Sequence, residues 1–233
     1  NVDACELEKE NAWLMNASSV DYQVKVLESL KNKRPKYSPH FIHLSTDFIF
    51  DGAHGPLDEN EKPNPLSYYA ETKLEAEKIV MASSLDWAIA RTVLVYGIVD
   101  NMSRSNIVLW VKSNLEQGKT INVVDDQFRT PTLAEDLADG CILIAKKRAK
   151  GIYNISGKDF YSILELANTV ADYYGLDKSL IKPSKSADIK QPAKRPPITG
   201  FIIEKAKREL GYNPHSFTEG IKILEDQIKE MGK

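Results

Sequence analysis

The sequence predicts an α/β fold, a doubly wound parallel sheet covered by helices on both faces, joined to a smaller C-terminal lobe. Three observations predict it. Short apolar runs alternate with longer stretches whose apolar residues recur every three or four positions, the order expected of βα units. The short runs are apolar throughout instead of alternating, as strands buried on two faces must be. From Asp177 to Gly200 the texture then changes to Lys-, Ser- and Pro-rich segments, followed by two closing helices.

The elements follow in order. In "NVDACELEKENAWLMNASSVDYQVKVLESLKNK", Leu14, Ala17, Val20, Val24, Leu27 and Leu30 keep helical spacing and predict one buried stripe. This opening has no initial methionine and enters a helix almost at once, so a chain that begins partway through a larger domain is expected. "KRPKYSPH" is a breaker-rich loop and "FIHLS" a short buried strand. "TDFIFDGAHGPLDENEKPNP" is a polar loop whose Pro63 and Pro65 lead into a helix from about Ser67 to Ser83. "DWAIARTVLVYG" reads as one buried strand, "SNIVLWVKSNLEQGK" as a helix ended by Gly118, and "TINVVDD" as a brief strand. "TLAEDLADGCILIAKKRAK" is a helix whose cationic last turn suits its dipole. "GIYNIS" is a third strand, "SILELANTVADYYG" a helix stopped by Gly175, and "FIIEKAKRELGY" and "FTEGIKILEDQIKEMGK" are the closing helices. The expected division is 1–98 with 132–157 for the sheet domain, and 99–131 with 158–233 for the second lobe, the two interleaved.

Composition narrows the functional classes. The 31 Lys and Arg against 33 Asp and Glu leave a net charge of −2, which gives no electrostatic argument for nucleic acid or a membrane surface. Neither Cys5 nor Cys141 lies in a CxxC or Cys/His cluster, so no disulfide framework or metal site is expected. No apolar run reaches bilayer length and no signal peptide opens the chain, so a soluble, reducing, cytoplasmic setting is the default expectation.

The candidate chemistry lies in "NPLSYYAETKLEAEK". Tyr69 and Lys73 are four apart and share a helix face, whereas Tyr68 is followed at that distance by Thr72. An ammonium beside a phenol favours the phenolate and lowers a pKa that starts near ~10, so the pair can pass a proton to or from a carbonyl. The spacing alone is weak evidence. Tyr174 and Lys178 share it, yet Gly175 lies between them at a helix end. Context strengthens the first pair, because Ser45, Thr46 and Asp47 stand where a buried strand ends. Ligands of open α/β sheets gather there, and a hydroxyl can polarise a substrate carbonyl alongside the tyrosine. The bland reading of Ser-Thr-Asp is a local turn.

As a set, "STDFIFDG", "NPLSYYAETKLEAEK", "RTVLVYG" and "NVVDDQFRTPTLAEDLADG" resemble the extended short-chain dehydrogenase/reductases, and most of all the dTDP-4-dehydrorhamnose reductases. The opening "VDACELEKENAWLMNASSV" resembles the segment after that family's fourth strand. The resemblance implies a Rossmann-like fold, a C-terminal substrate-binding domain, NADP or NAD as cofactor, and a nucleotide-diphosphate sugar as substrate. A homodimer stays open. Tyr69 would be the proton donor to a sugar keto oxygen, Lys73 would hold the nicotinamide ribose, and Thr46 would hydrogen-bond the carbonyl. Ser45 and Leu94 would join Tyr69 and Lys73 on the cofactor side. Val2, Asp47, Asn106, Gln127, Arg129 and Arg195 would join Thr46 on the substrate side, the arginines meeting phosphate. Asn106 reads equally as a helix cap, and Arg195 equally as a cation on a solvated linker. Asn16 falls at the family's helix-four asparagine and is as plausibly structural.

The sequence also departs from the family. The Gly-x-x-Gly-x-x-Gly turn that binds the family's cofactor pyrophosphate is absent, so ~70 residues are expected before Asn1, at ~30 or more per βαβ unit, with the residue selecting NAD or NADP among them. Leu94 stands where rhamnose-forming reductases carry a tryptophan, and leucine cannot stack on a sugar face. Two alternatives remain. One is an epimerase or dehydratase of the same superfamily, though dehydratases follow the threonine with Asp-Glu where this chain has Asp47 and Phe48. The other is a non-catalytic subunit resembling the regulatory β subunit of methionine adenosyltransferase.

Overall fold

The computed structural model describes residues 2–34, 36–99 and 105–231; residues 100–104 of the expected second lobe lie outside them. The N-terminal segment forms α1 (Val2–Leu7), α2 (Lys9–Trp13), a π-helical turn at Leu14–Ser18, and α3 (Ser19–Lys33). This corrects the single stripe. Ala17, Val20 and Val24 are buried, but Leu14 is 52% exposed. A π turn takes more residues than an α turn, so positions before it rotate off the line set by those after it.

A parallel sheet follows. β1 (His40–Thr46) leads through the polar loop to α4 (Tyr68–Ala82), whose N-terminus is capped by the Ser67 hydroxyl accepting from the Ala70 amide at 3.4 Å. β2 (Asp86–Thr92) returns beside β1, with Leu44 opposite Ala90 and Thr46 opposite Thr92. The expected long strand "DWAIARTVLVYG" is broken there. Leu94 adopts φ 38°, and β3 (Val95–Tyr96) leaves the main sheet.

Next come α5 (Ile107–Glu116), β4 (Ile121–Val124), β5 (Phe128–Arg129), β6 (Thr132–Leu133) and α6 (Ala134–Lys147). β7 (Gly151–Asn154) completes the sheet in the order β1-β2-β7. The chain closes with β8 (Tyr161–Ser162), α7 (Ile163–Tyr174), β9 (Ile181–Ser184), α8 (Glu204–Leu210) and α9 (Phe217–Glu230).

Burial explains the apolar texture of β2. Ile89 faces Val20, Val24, Ala76 and Val80 of α3 and α4, while Ala88 and Ala90 face Ile144, Ala206 and Leu210 of α6 and α8. α8 therefore packs on the sheet, although it falls in the stretch assigned to the second lobe. β1 departs from the all-apolar expectation, since His43 is buried and Leu44 is 46% exposed on the edge of the described sheet. The bidentate pair of Glu77 with Arg91, at 2.7 and 3.0 Å and almost fully buried, fixes α4 to β2.

A separate core cluster includes Val108, Val111, Leu115, Leu166, Val170, Ile221 and Leu224, drawn from α5, α7 and α9. Small two-stranded sheets pair β4 with β9, β3 with β6, and β5 with β8. α7 and α9 each begin with a capping box, Ser162 with Glu165 and Ser216 with Glu219. Cys5 and Cys141 are free thiols.

Candidate active site

The site is built where β1 ends. Thr46, still extended, caps a 3₁₀ turn at Asp47–Ile49; its hydroxyl oxygen accepts from the Phe48 amide at 3.3 Å and donates to Asp47 Oδ1 at 3.0 Å. The local-turn reading of Ser-Thr-Asp thus holds at Thr46. Its one proton points to Asp47, so donation to a ligand carbonyl requires that proton to swing away. Asp47 is buried, and its other oxygen accepts from the Thr199 hydroxyl and lies 3.6 Å from Arg129 Nε. Burial raises the Asp47 carboxyl above its ordinary value, against the pull of Arg129, Thr199 and Thr46.

α4 brings Tyr69 against this strand end. The Phe48 ring meets the Tyr69 ring edge-on, 6.1 Å between centroids. The Tyr69 phenol does not show the expected lowering here. Burial pushes the phenol up to about 12, the Thr46 hydroxyl opposes this, and the Asp47 carboxylate adds to it. The Lys73 ammonium donates to the Leu44 carbonyl at 2.7 Å. Burial in turn lowers the Lys73 pKa, with Glu77 opposing.

A cavity of about 260 Å³ gathers Val2, Thr46, Asp47, Tyr69, Leu94, Gln127, Arg129 and Arg195, together with Phe48 and Ile163. These include most of the residues predicted from sequence. Three predicted residues do not line it. Ser45 is buried on β1 with its hydroxyl oxygen unpartnered, and Lys73 lies along α4 from Tyr69. Asn106 is spent as the cap of α5: its side-chain oxygen accepts from the Leu109 amide at 3.1 Å and its nitrogen donates to the Gly97 carbonyl at 2.6 Å. Tyr69 also lines a second cavity of about 280 Å³ with Cys5, Asn11 and Asn16. Asn16, in the π turn, donates to the Thr72 hydroxyl at 3.0 Å.

The two arginines of this cavity are held differently. Arg129 is buried, and its guanidinium donates to the carbonyls of Phe128 (2.7 Å), Pro197 (3.0 Å) and Pro196 (2.7 Å), and to Gln127 Oε1 at 3.4 Å. It is a clamp on main chain. Gln127 in turn donates to the Ser186 hydroxyl at 2.9 Å. Arg195 pairs with Asp3 of α1 at 2.7 Å. Thr199 and Asp3 are contacts the sequence reading missed, each more than 150 positions from its partner, with no local pattern to reveal them.

The comparison pairs behave as controls. Tyr68 does not line this cavity; its ring lies under Lys9, 5.0 Å from the ammonium. Gly175 takes the left-handed conformation that ends α7, and Lys178 pairs with Asp172 at 2.6 Å instead of stacking on Tyr174. Among the described residues, no three His, Cys, Asp or Glu side chains group to hold a metal, and no helix is long and apolar enough to cross a membrane.

A parallel sheet ending in Ser-Thr-Asp, with a Tyr-x-x-x-Lys helix beside it, defines the Rossmann-like class to which the chain's structural neighbours also belong. A dTDP-4-dehydrorhamnose reductase from Clostridium acetobutylicum superposes with a TM-score of 0.87 at 27% identity, over 98% of this chain and 77% of that one. A second, from Bacillus anthracis in complex with NADP, gives 0.82 at 25% identity over 97% and 77%. The family model of the RmlD substrate binding domain matches residues 1–230, and the chain belongs to that family. In sequence it is also 31% identical, over 78% of its length, to the methionine adenosyltransferase 2 subunit beta of Xenopus tropicalis. The matched stretches are 54% and 44% of two such β subunits, so the chain spans about half the length of these relatives.

Proposed function

We propose that the chain serves an NAD(P)H-dependent reductase of a keto group on a nucleotide-diphosphate sugar, with Tyr69 as proton donor. The observation that carries this is the meeting of Thr46 and Tyr69 on one cavity that also holds Arg195. The reductases among its structural neighbours, one of them in complex with NADP, support it.

Residues of this chain fit the ribose end of a nicotinamide cofactor. Ser45 carries a buried hydroxyl oxygen without a partner beside the candidate catalytic threonine, and Lys73 uses one of its three donors on Leu44. When bound, a reduced nicotinamide supplies the hydride. Tyr69 Oη then gives its proton to the carbonyl oxygen as the carbonyl carbon is reduced to an alcohol. Burial keeps that phenol protonated throughout the neutral range, the state a donor needs. Thr46 holds the carbonyl oxygen with the proton it otherwise lends to Asp47. Leu94, left-handed at the strand break, offers an aliphatic surface and not a ring, which bears on which sugar fits.

The test is turnover. The full-length protein should consume reduced nicotinamide when given a 4-keto nucleotide sugar, followed by the cofactor's absorbance. The likeness to methionine adenosyltransferase β subunits favours a second reading as a non-catalytic subunit. Tight binding to a methionine adenosyltransferase catalytic subunit, with no such turnover, would replace the first reading by the second.

A further inference from the structure

Two arginines line the cavity beside Tyr69, and the fold uses them differently. The Arg129 side chain is 3% exposed and is tied to the carbonyls of Phe128, Pro196 and Pro197. An anion reaching it would have to break those bonds inside the protein. Arg195 precedes the same prolines and keeps 19% of its side-chain surface exposed. Its Nη2 donates to Asp3 Oδ2 at 2.7 Å, and its Nη1 donates to Asp3 Oδ1 at 3.2 Å and to the Ala193 carbonyl at 3.1 Å. Asp3 Oδ1 also accepts from the Ala193 amide at 3.2 Å. A carboxylate of α1 therefore sits fork-on-fork on the more accessible of the two cations.

We infer that Asp3 competes with the diphosphate of the substrate for Arg195, so that binding the substrate exchanges one anion for the other and releases α1 from the 193–195 strap. This deepens the nucleotide-sugar reading and rests on it for the source of the diphosphate. A guanidinium presents two parallel donors that fit a carboxylate or a phosphate equally well, but one fork serves one bidentate partner at a time. A diphosphate brings more charge and more acceptor oxygens than a carboxylate. Asp3, with 30% of its side chain exposed, is already partly in water.

The neighbours of the pair suit an exchange. Val2 lines the cavity beside Asp3, so release of Asp3 shifts a wall of the cavity as well as its charge. Arg129 holds Pro196 and Pro197 through their carbonyls, so the strap keeps its place while the Arg195 side chain swings.

The experiment is calorimetric titration of the full-length chain with dTDP and, separately, with inorganic pyrophosphate. Asp3→Asn removes the charge but keeps an oxygen for the Ala193 amide. It should tighten both probes about three- to five-fold, the value of an exposed carboxylate–guanidinium pair. Arg195→Met should weaken them about ten-fold or more, and the double variant should show no gain over Arg195→Met. If Asp3→Asn loses structure by circular dichroism, Asp3→Ser carries the same expectation. Binding by the parent that Asp3→Asn leaves unchanged or weakens overturns the exchange, as does binding indifferent to Arg195→Met. Failure of both probes with every variant overturns it as well. Tighter pyrophosphate binding by Asp3→Asn, without turnover of any keto nucleotide sugar, refutes the reductase reading and leaves the exchange standing.

Discussion

Replacing Arg129 by methionine keeps much of its aliphatic bulk but removes a guanidinium that no water-exposed surface replaces. The Pro196 carbonyl loses a 2.7 Å bond, while Pro197 keeps the Phe128 amide and Phe128 keeps the Thr199 amide. An unsatisfied buried carbonyl costs about 1–3 kcal/mol. Asp47 is left with hydroxyl donors from Thr46 and Thr199 but no positive charge. Breaking a buried pair from one side costs about 3–5 kcal/mol, which sets the expected loss for Arg129→Met. Adding Asp47→Asn should recover part of that loss, because the stranded charge goes with it. The deficit should also depend on pH. The Asp47 carboxyl in the fold lies above its ordinary value, and losing Arg129 raises it further. Between the unfolded and folded values the folded state binds more protons, so the variant's stability falls as pH rises through that window. Urea denaturation at pH 5 and pH 8 measures both effects. A loss below about 1 kcal/mol, or a deficit that shrinks at the higher pH, would refute the clamp.

Three further outcomes are expected. Thr46→Val should lower kcat about 10²- to 10³-fold, as loss of one positioned donor to a reacting oxygen does, in steady-state assays with the keto sugar. It should also destabilise by about 1 kcal/mol through the lost cap on Phe48, read from the urea midpoint. His43 is held neutral by burial and by Lys73, its pKa pushed down to about 3. The unfolded chain therefore binds the extra proton between about pH 6.5 and 3, and stability falls as pH drops through that window by up to about 1.4 kcal/mol per unit. His43→Leu should lose that pH slope, so equal slopes in parent and variant between pH 6.5 and 3 would show that another group is concerned.

The candidate pair was legible because helical spacing is local. Four residues bring Tyr69 and Lys73 to one face, and an apolar run ending in Ser-Thr-Asp marks where a strand delivers Thr46. The direction of the Tyr69 pKa was not, since it depends on how deeply Tyr69 is buried and on which acceptor the flexible Lys73 ammonium finds. Leu94 lies in "VLV", a run of strand-formers, and nothing in it announces a residue at φ 38°. β5, β6 and β8 have two residues each, too short for any periodicity to show. The arginine roles required partners far along the chain: Asp3 for Arg195, and the Pro196 and Pro197 carbonyls for Arg129.

The proton donor is the central claim, and Tyr69→Phe tests it most directly. The substitution removes one oxygen and leaves the ring against Phe48. Single-turnover reduction of a 4-keto nucleotide sugar should slow by about 10²- to 10⁴-fold, while reduced cofactor, titrated by its fluorescence, binds within about two-fold of the parent. A variant that reduces the sugar within about five-fold of the parent rate would contradict the assignment of Tyr69 as the acid.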